Sequence, residues 1–460
     1  MVKIKFAHKI TTNTITNFKS LLSKILRANN TVVQSFSLDE DPVTRQSAVY
    51  MDVRPYKRYS HICPHCGRQC KGYDHGTNQT RRWRHTDLGS TQLFLRYAPP
   101  RIFCPVHKVV TAAVPWADHD CWFTRDFDDS AVWLSQRMSK SAVSELLRID
   151  WATVGRCISR VKNRLDKNPL SRFDNLRSIA VDETSIRKGH VYITVVINNE
   201  TGKVIWIGER HGKETFMKFL NELTAEQREG IHFVAGDGAR WIDECIKEKL
   251  PNCTRCVDGF HVVQWANEAL DEQRRETWRE LHECAKEQEK SSENQEKSPE
   301  QEESAKTTRK MAKTVKGSQY ALGKAPENLT DNQMARLEFI EKTHPRLFRA
   351  YTLKEHLRYI LKMVDVQLAE TELKSWYWRA SHSRLEPMKK LAKKIKRHWG
   401  NILNTIQFGL SSAKSESANN AIKLILRKAY GFRNMENMKD MIMLCCSNLE
   451  VQLPGRAPNP

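Results

Sequence analysis

The chain has 460 residues, enough for two or three domains with cores of their own. Its 75 Lys and Arg outnumber 54 Asp and Glu, giving a formal charge of +21 that points to a polyanionic partner, nucleic acid ahead of an anionic membrane surface. No apolar run approaches the roughly 18 residues of a membrane span, and the N-terminal MVKIKFAHKI lacks the apolar core and cleavage site of a signal peptide, so the expected place is the cytoplasm, with no membrane partner.

Residues 1–55 read as a lead-in, with a helical stretch at Phe18–Leu26 and a strand at Ser47–Val53. Residues 56–120 are dense in Cys, His, Arg and aromatics. In a reducing cytosol the 12 cysteines are metal ligands before they are disulfides. Cys63-Pro64-His65-Cys66-Gly67 has the shape of a zinc knuckle, and Cys104-Pro105-Val106-His107 supplies a second half. Cys63, Cys66, Cys104 and His107 then make a tetrahedral set suited to structural Zn²⁺. Cys70 and His65 are rival ligands, and ordinary buried thiols are the bland alternative. Arg81, Arg82, Trp83, Arg84, His85, Arg96 and Arg101 surround the knuckles. Such a mixture suits phosphate contact and base stacking, or simply a solvated basic face.

Residues 125–168 are helical in period. Helices over Asp129–Arg148 and Trp151–Asn163 have the cadence of a helix-turn-helix, with Thr153, Arg156 and Arg160 turned outward; a plain helical hairpin would show a similar pattern.

From residue 177 the period becomes that of strands. Arg177–Glu183, His190–Ile197 and Lys203–Gly208 predict three antiparallel strands, the last two joined by a turn at Asn198–Gly202. A helix at Lys213–Leu223, a strand at Ile231–Ala235, a helix at Arg240–Leu250 and a strand at Cys253–Val257 follow. That order implies a mixed sheet covered by helices. Beyond Phe260 the chain is helical; 286–318 is polar and nearly free of aliphatics, and is expected to be flexible or solvated. Further helices are predicted at Asp331–Thr343, Arg346–Lys362, Glu370–Trp378, Glu386–Trp399, Ser412–Ala429 and Met435–Leu449.

Asp182 closes one apolar strand and Asp237 another. One acid beside a Gly-flanked turn would be read as a turn residue. Two, on strands expected to lie side by side, repel unless protonated or metal-bound, and oxygen-only ligands select Mg²⁺ or Mn²⁺. Two such ions suit phosphodiester chemistry. Asp258 closes a further strand and rivals Asp237. Glu416 lies on an amphipathic helix with Asn419 and Asn420 at i+3 and i+4 and with Lys423 and Arg427 further on. That face fits a metal ligand with DNA-contacting neighbours, or a solvated helix.

With these residues in view, the chain resembles the ISL3 family of insertion-sequence transposases over most of its length. The resemblance is carried by Cys63–Gly67, Val181-Asp182-Glu183 with Lys188–Tyr192, Asp258-Gly259-Phe260-His261-Val262-Val263, Glu416–Lys423 and Ala429-Tyr430-Gly431-Phe432-Arg433-Asn434. Ser417 and Gly259 depart from the family's usual Gly and its usual Arg or Lys. The resemblance implies a multidomain α+β chain. It would comprise a lead-in (1–55), a zinc-binding module (56–120), a helix-turn-helix (125–168) and an RNase H-like mixed α/β core (175–264 and 401–450) interrupted by a large helical insertion (265–400). It implies Asp182, Asp237 and Glu416 as a catalytic DDE triad holding Mg²⁺ or Mn²⁺. Arg81, Arg82, Arg84, Thr153, Arg156, Arg160, Asn420, Lys423 and Arg427 would contact double-stranded DNA, with a homodimer or higher assembly joining the two ends near the bacterial nucleoid. A structure-selective nuclease of the same fold and a non-catalytic DNA-binding regulator are the rival functions.

Overall fold

A computed structural model describes residues 22–23, 26, 28, 30–40, 46–74, 79–187, 191–290, 299–409 and 413–456. The helix expected at Phe18–Leu26 falls mostly outside them, as do the Lys188–His190 part of the family motif and residues 291–298. The chain divides into two units, one of residues 1–167 with 424–460 and one of 168–423.

In the first unit β1 (Thr31–Glu40), β2 (Ser47–Pro55), β4 (Arg81–Leu88) and β5 (Thr91–Tyr97) form a sheet in the order β1-β2-β5-β4. The β2–β5 pair is parallel, with Met51 opposite Leu95. Met51, Val53, Trp83, Leu93 and Leu95 of this sheet form one apolar core with Trp116. The lead-in is therefore not separate from the cysteine-rich segment: the segments on either side of residue 55 share one sheet and one core. β3 (Lys71–Gly72), between β2 and β4 in the chain, joins β6 (Arg101–Cys104) and β7 (Lys108–Thr111), which follow β5, in a small second sheet.

Three helices follow: α1 (Arg125–Ser135), α2 (Lys140–Leu147) and α3 (Trp151–Leu165). The expected single helix Asp129–Arg148 is two helices, because Ser139 caps a new start by accepting from Ala142 N at 3.3 Å. Arg148 leaves α2 in the left-handed region, φ 54°, and Asp150 then caps α3 through Thr153 N at 2.9 Å. Phe127, Val132, Val154, Ile158 and Val161 are fully buried where α1 and α3 pack. The C-terminal helix Met435–Cys446 packs on α3 as well.

The second unit holds a five-stranded sheet. Its strands are β8 (Ser178–Arg187), β9 (Val191–Asn198), β10 (Val204–Glu209), β11 (Phe233–Gly236) and β12 (Thr254–Val257), in the order β10-β9-β8-β11-β12. The first three are antiparallel neighbours; β8, β11 and β12 run parallel. This is the mixed sheet that the alternation of elements predicts. Helices α4 (Lys213–Glu222) and α6 (Arg240–Lys249) cover one face, where Ile179, Val181, Val196, Ile205 and Val234 meet Phe216, Phe219, Ile242 and Ile246; the short α5 (Ala225–Gly230) links α4 to β11.

The rest of this unit is helical: α7 (Gly259–Lys290), α8 (Pro299–Lys316), α9 (Gln319–Gly323), α10 (Asp331–Thr343), α11 (Pro345–Ile360), α12 (Val366–Ser381), α13 (Glu386–Arg397), α14 (Trp399–Phe408) and the part of α15 (Ala413–Lys428) up to Lys423. Their core includes Leu270, Leu347, Leu357, Leu373, Trp376 and Ile395. Of the flexible or solvated character expected within 286–318, flexibility is corrected for Pro299–Lys316: it is a helix packed along α7, with most of its described side chains exposed. Among its described side chains the buried ones are Ala305, Ala312 and Val315, so small side chains at helical spacing make a seam that a count of large aliphatics misses. Among the described residues no helix is long and apolar enough to cross a membrane.

Candidate active site and zinc site

Strand register lines up three acids. Val181 of β8 pairs with Gly236 of β11, and Gly236 pairs with Val257 of β12. The next residue of each strand is Asp182, Asp237 and Asp258. All three sit at one level across the carboxyl end of the parallel part of the sheet. Neighbouring strands are about 4.8 Å apart, so Asp237 is adjacent to Asp182 while Asp258 is a further strand away. Asp182 does not end its strand, as the apolar run suggested; β8 continues to Arg187, and the acid sits where its pattern turns polar.

Period two puts Ala180, Asp182 and Thr184 on the face of β8 opposite the one under α4 and α6. There Asn419 of α15 donates its amide to Asp182 Oδ2, and Thr184 Oγ1 donates to Asn419 Oδ1 at 3.1 Å. The other Asp182 oxygen accepts from Glu183 N at 2.7 Å. Burial pushes the Asp182 carboxyl above the usual range, and the charge of Asp237 adds to this; the Glu183 hydrogen bond, His261 and Asn419 pull the other way. A pocket at this strand end is lined by Asp182, Asp237, Asp258, His261, Thr405 and Ser415.

Asp237 Oδ1 accepts from Ala239 N at 3.0 Å. Arg255, buried beneath the strand end, donates to the carbonyls of Val234, Cys256 and Asp237 and pairs with Asp243. Asp258 Oδ1 accepts from Phe260 N at 2.9 Å and so caps the first turn of α7. Glu416 is exposed on the first turn of α15, one helical turn before Asn419. Among the described residues Asp182, Asp237 and Glu416 do not gather into a group with all ligand atoms within 4.8 Å. Sequence reading placed Asn419 on the Glu416 helix without its bond to Asp182. It missed Thr184, Arg255 and His261 as neighbours of the acids, although His261 stands in a quoted motif.

In the first unit the ligand atoms of Cys63, Cys66, Cys104 and His107 all lie within 4.8 Å of one another. Cys63 Sγ is 3.6 Å and Cys104 Sγ 3.7 Å from His107 Nδ1, and Cys66 Sγ is 3.7 Å from Cys104 Sγ. Tetrahedral zinc with sulfur and nitrogen ligands requires edges of about 3.5–3.8 Å, so the cluster fits the ion. The backbone N–H of His107 holds the Cys104 thiol down to about 5, the direction a thiolate ligand needs. The two knuckles repeat one turn: Gly67 and Lys108, each just after its second ligand, have φ of 69° and 61°. The rivals are outside the set, Cys70 facing Arg68 O at 3.4 Å and His65 packing on His107 and His119.

The expected DNA contacts divide. Arg156, Asn420, Lys423 and Arg427 are exposed. Arg81 and Arg82 are half-buried, Arg82 over the Phe94 ring. Three expectations are corrected. Arg84 is buried, bonded to Asp87 and the His85 carbonyl. Thr153 is buried and bonds Asp150 in the α3 cap. Arg160 grips the buried Asp128 through both carboxylate oxygens, at 2.7 and 2.6 Å. At helical spacing Thr153 and Arg160 looked outward, but the α3 cap holds Thr153 and a buried acid on α1 draws Arg160 inward.

Three family models match: a transposase domain over residues 179–442, a helix-turn-helix domain of the ISL3 transposases over 112–161, and a zinc finger of the IS204, IS1001, IS1096 and IS1165 transposases over 60–107. The transposase for insertion sequence element IS1557 of Mycobacterium tuberculosis is 38% identical over 443 residues, covering 96% of this chain and 98% of its own. The transposase for insertion sequence element IS1001 of Bordetella parapertussis is 24% identical over 411 residues, covering 88% and 92%. The chain belongs to the ISL3 family of insertion-sequence transposases, with a zinc ribbon and a helix-turn-helix DNA-binding domain.

Proposed function

We infer that this transposase cuts and joins DNA with an RNase H-like core, in which Asp182, Asp237 and Glu416 hold two Mg²⁺ or Mn²⁺ ions. The observation that carries the reading is the register of β8 and β11, which sets Asp182, within β8, beside Asp237, just past the end of β11. The strand order β10-β9-β8-β11-β12, three antiparallel strands followed by parallel additions, supports an RNase H-like core, and helices α7 to α13 form its insertion. The donor set fits hard cations: oxygen ligands only, with Asp182 partly desolvated beside a second carboxylate. When bound, such ions activate the attacking oxygen and stabilise the leaving one.

The chain's own residues supply position. Asn419 and Glu183 N–H each hold one oxygen of Asp182, leaving a lone pair on each for a ligand. Asn419 also ties α15 to β8, and Glu416 stands about 4.5 Å along the helix from that tie. Asn420 and Lys423 face solvent beside Glu416, where a DNA strand would lie. Asp237 is preferred to Asp258 because it is next to Asp182 and because an oxygen of Asp258 caps α7. Water would attack first, and the freed 3′-OH would then attack target DNA directly, with no covalent enzyme intermediate. The zinc ribbon and helix-turn-helix would bind the terminal inverted repeats, and two ends require at least a dimer.

The test is cleavage and joining of a duplex carrying the element's own ends. Asp182→Asn, Asp237→Asn and Glu416→Gln are expected to bind the ends and cut at background level, while Asp258→Asn still cuts. An inactive Asp258→Asn with an active Asp237→Asn would reverse the choice of second acid. A cut product that never joins a target would favour a nuclease.

A further inference from the structure

Helix α13 divides its 12 residues into two faces. Met388, Leu391, Ala392 and Ile395 are buried, as expected for a helix packed on α7 and α12. The remainder holds six Lys or Arg and a single acid, Glu386. Lys390, Lys393 and Arg397 are exposed and fall at i, i+3 and i+7, lining one side of the helix over about 10 Å.

Neighbours answer only part of this charge. Lys390 meets Glu272 of α7 at 3.3 Å, but both side chains are largely exposed, where a pair contributes little. Lys389 meets Glu386 at 3.8 Å. Lys394 lies 4.0 Å above the Trp265 ring, with Glu268 and Asp237 as the carboxylates acting on it. Lys393 and Arg397 have no ion-pair partner among the described residues.

The end of this stripe abuts the acids. A Cβ at Gly238, the residue after Asp237, would lie 2.5 Å from the Trp265 ring and 3.2 Å from His398 Nε2. The ring under Lys394 and the residue after Arg397 therefore wall the turn that carries Asp237. Phosphates approaching a cluster of carboxylates are repelled by it, and fixed cations alongside offset that repulsion. We propose that the exposed side of α13, centred on Lys393 and Arg397, is a track for the phosphate backbone of DNA on either side of the scissile bond. It would bind by charge, without reading sequence. A stripe of about 10 Å matches the helix-axis rise of some three phosphates of one strand, and reaches about two along the backbone itself.

The proposal rests on the reading of Asp182 and Asp237 as the catalytic acids, and its test separates the two. The full chain, its Lys393→Gln/Arg397→Gln variant and Asp182→Asn are compared on a duplex carrying one terminal repeat and its flank. The double variant is expected to bind about tenfold more weakly at 0.1 M salt, with the logarithmic salt slope reduced by about two. Phosphate-ethylation interference should disappear within about three nucleotides of the cut and persist inside the repeat. Lys393→Arg/Arg397→Lys should restore both. An unchanged melting temperature shows that the variant folds. An unchanged slope and interference pattern, or weakening confined to the repeat, overturns the proposal. Asp182→Asn should match the parent in binding; if it still cuts, the catalytic assignment falls while the binding comparison continues to judge α13.

Discussion

Asn419 of α15 donates its side-chain amide to the carboxylate of Asp182 on β8, and the Thr184 hydroxyl closes the other end of that amide at 3.1 Å. A hydrogen bond to a charged acceptor is worth about 1.5–3 kcal/mol, a factor of ten to a hundred. Asn419→Ala should therefore slow cleavage about tenfold to a hundredfold, with DNA binding nearly unchanged. The concentration of Mg²⁺ giving half the maximal rate should rise, because Asp182 is no longer held. An equal loss of cleavage and DNA affinity, with the Mg²⁺ requirement unchanged, would instead make Asn419 a DNA contact.

The zinc assignment predicts one ion per chain, measured by elemental analysis of the purified protein. Cys63→Ser or Cys104→Ser should lower that ratio toward zero, and Cys70→Ser should leave it at one. Gly67→Ala would force a Cβ into the left-handed region at φ 69° and should destabilise the ribbon by about 1 kcal/mol. A normal zinc content in Cys104→Ser together with a lowered one in Cys70→Ser would replace the ligand set.

Local chemistry was legible where it is local. The two knuckles, the β8–β10 strands and the turn from apolar to acidic at Asp182 and Asp237 follow from short-range pattern and turn residues, although β8 runs on past Asp182 to Arg187. Partners far apart in sequence were not. Arg160 and Asp128 are 32 residues apart, and Asn419 and Asp182 are 237 apart. Periodicity can say which face of a helix a residue occupies, but not what waits opposite. The Ala305–Val315 seam of α8 was missed for a related reason: its burial comes from close approach to α7, not from large side chains.

Arg160 gives that distinction a measurement. Its guanidinium neutralises an Asp128 side chain only 1% exposed. Removing one partner of a buried pair costs about 3–5 kcal/mol. Arg160→Gln should lower the unfolding free energy by that amount, while Arg156→Gln, at an exposed position, should leave stability within about 0.5 kcal/mol and weaken DNA binding. Denaturant unfolding beside DNA titration checks both. A stable Arg160→Gln with weakened DNA binding would make Arg160 a DNA contact, as the helical spacing suggested.

His85 predicts a pH dependence with a definite sign. It is buried on β4, with Nδ1 2.8 Å from Thr124 Oγ1, and burial pushes it down to about 4. The unfolded chain takes up a proton near pH 6.5 but the folded one resists to about 4, so the stability this group contributes is complete above about 6.5 and is lost as pH falls to 4. The full effect is roughly 3 kcal/mol. Asp129, pushed up to about 6 by burial in the same unit, slopes the opposite way, so the parent's melting curve alone is ambiguous. The measurement is the difference in stability between the parent and His85→Gln, each with saturating zinc, from pH 7 to 4.5. The parent should lose ground relative to the variant across that range, and a flat difference would mean that His85 is not held neutral in the fold.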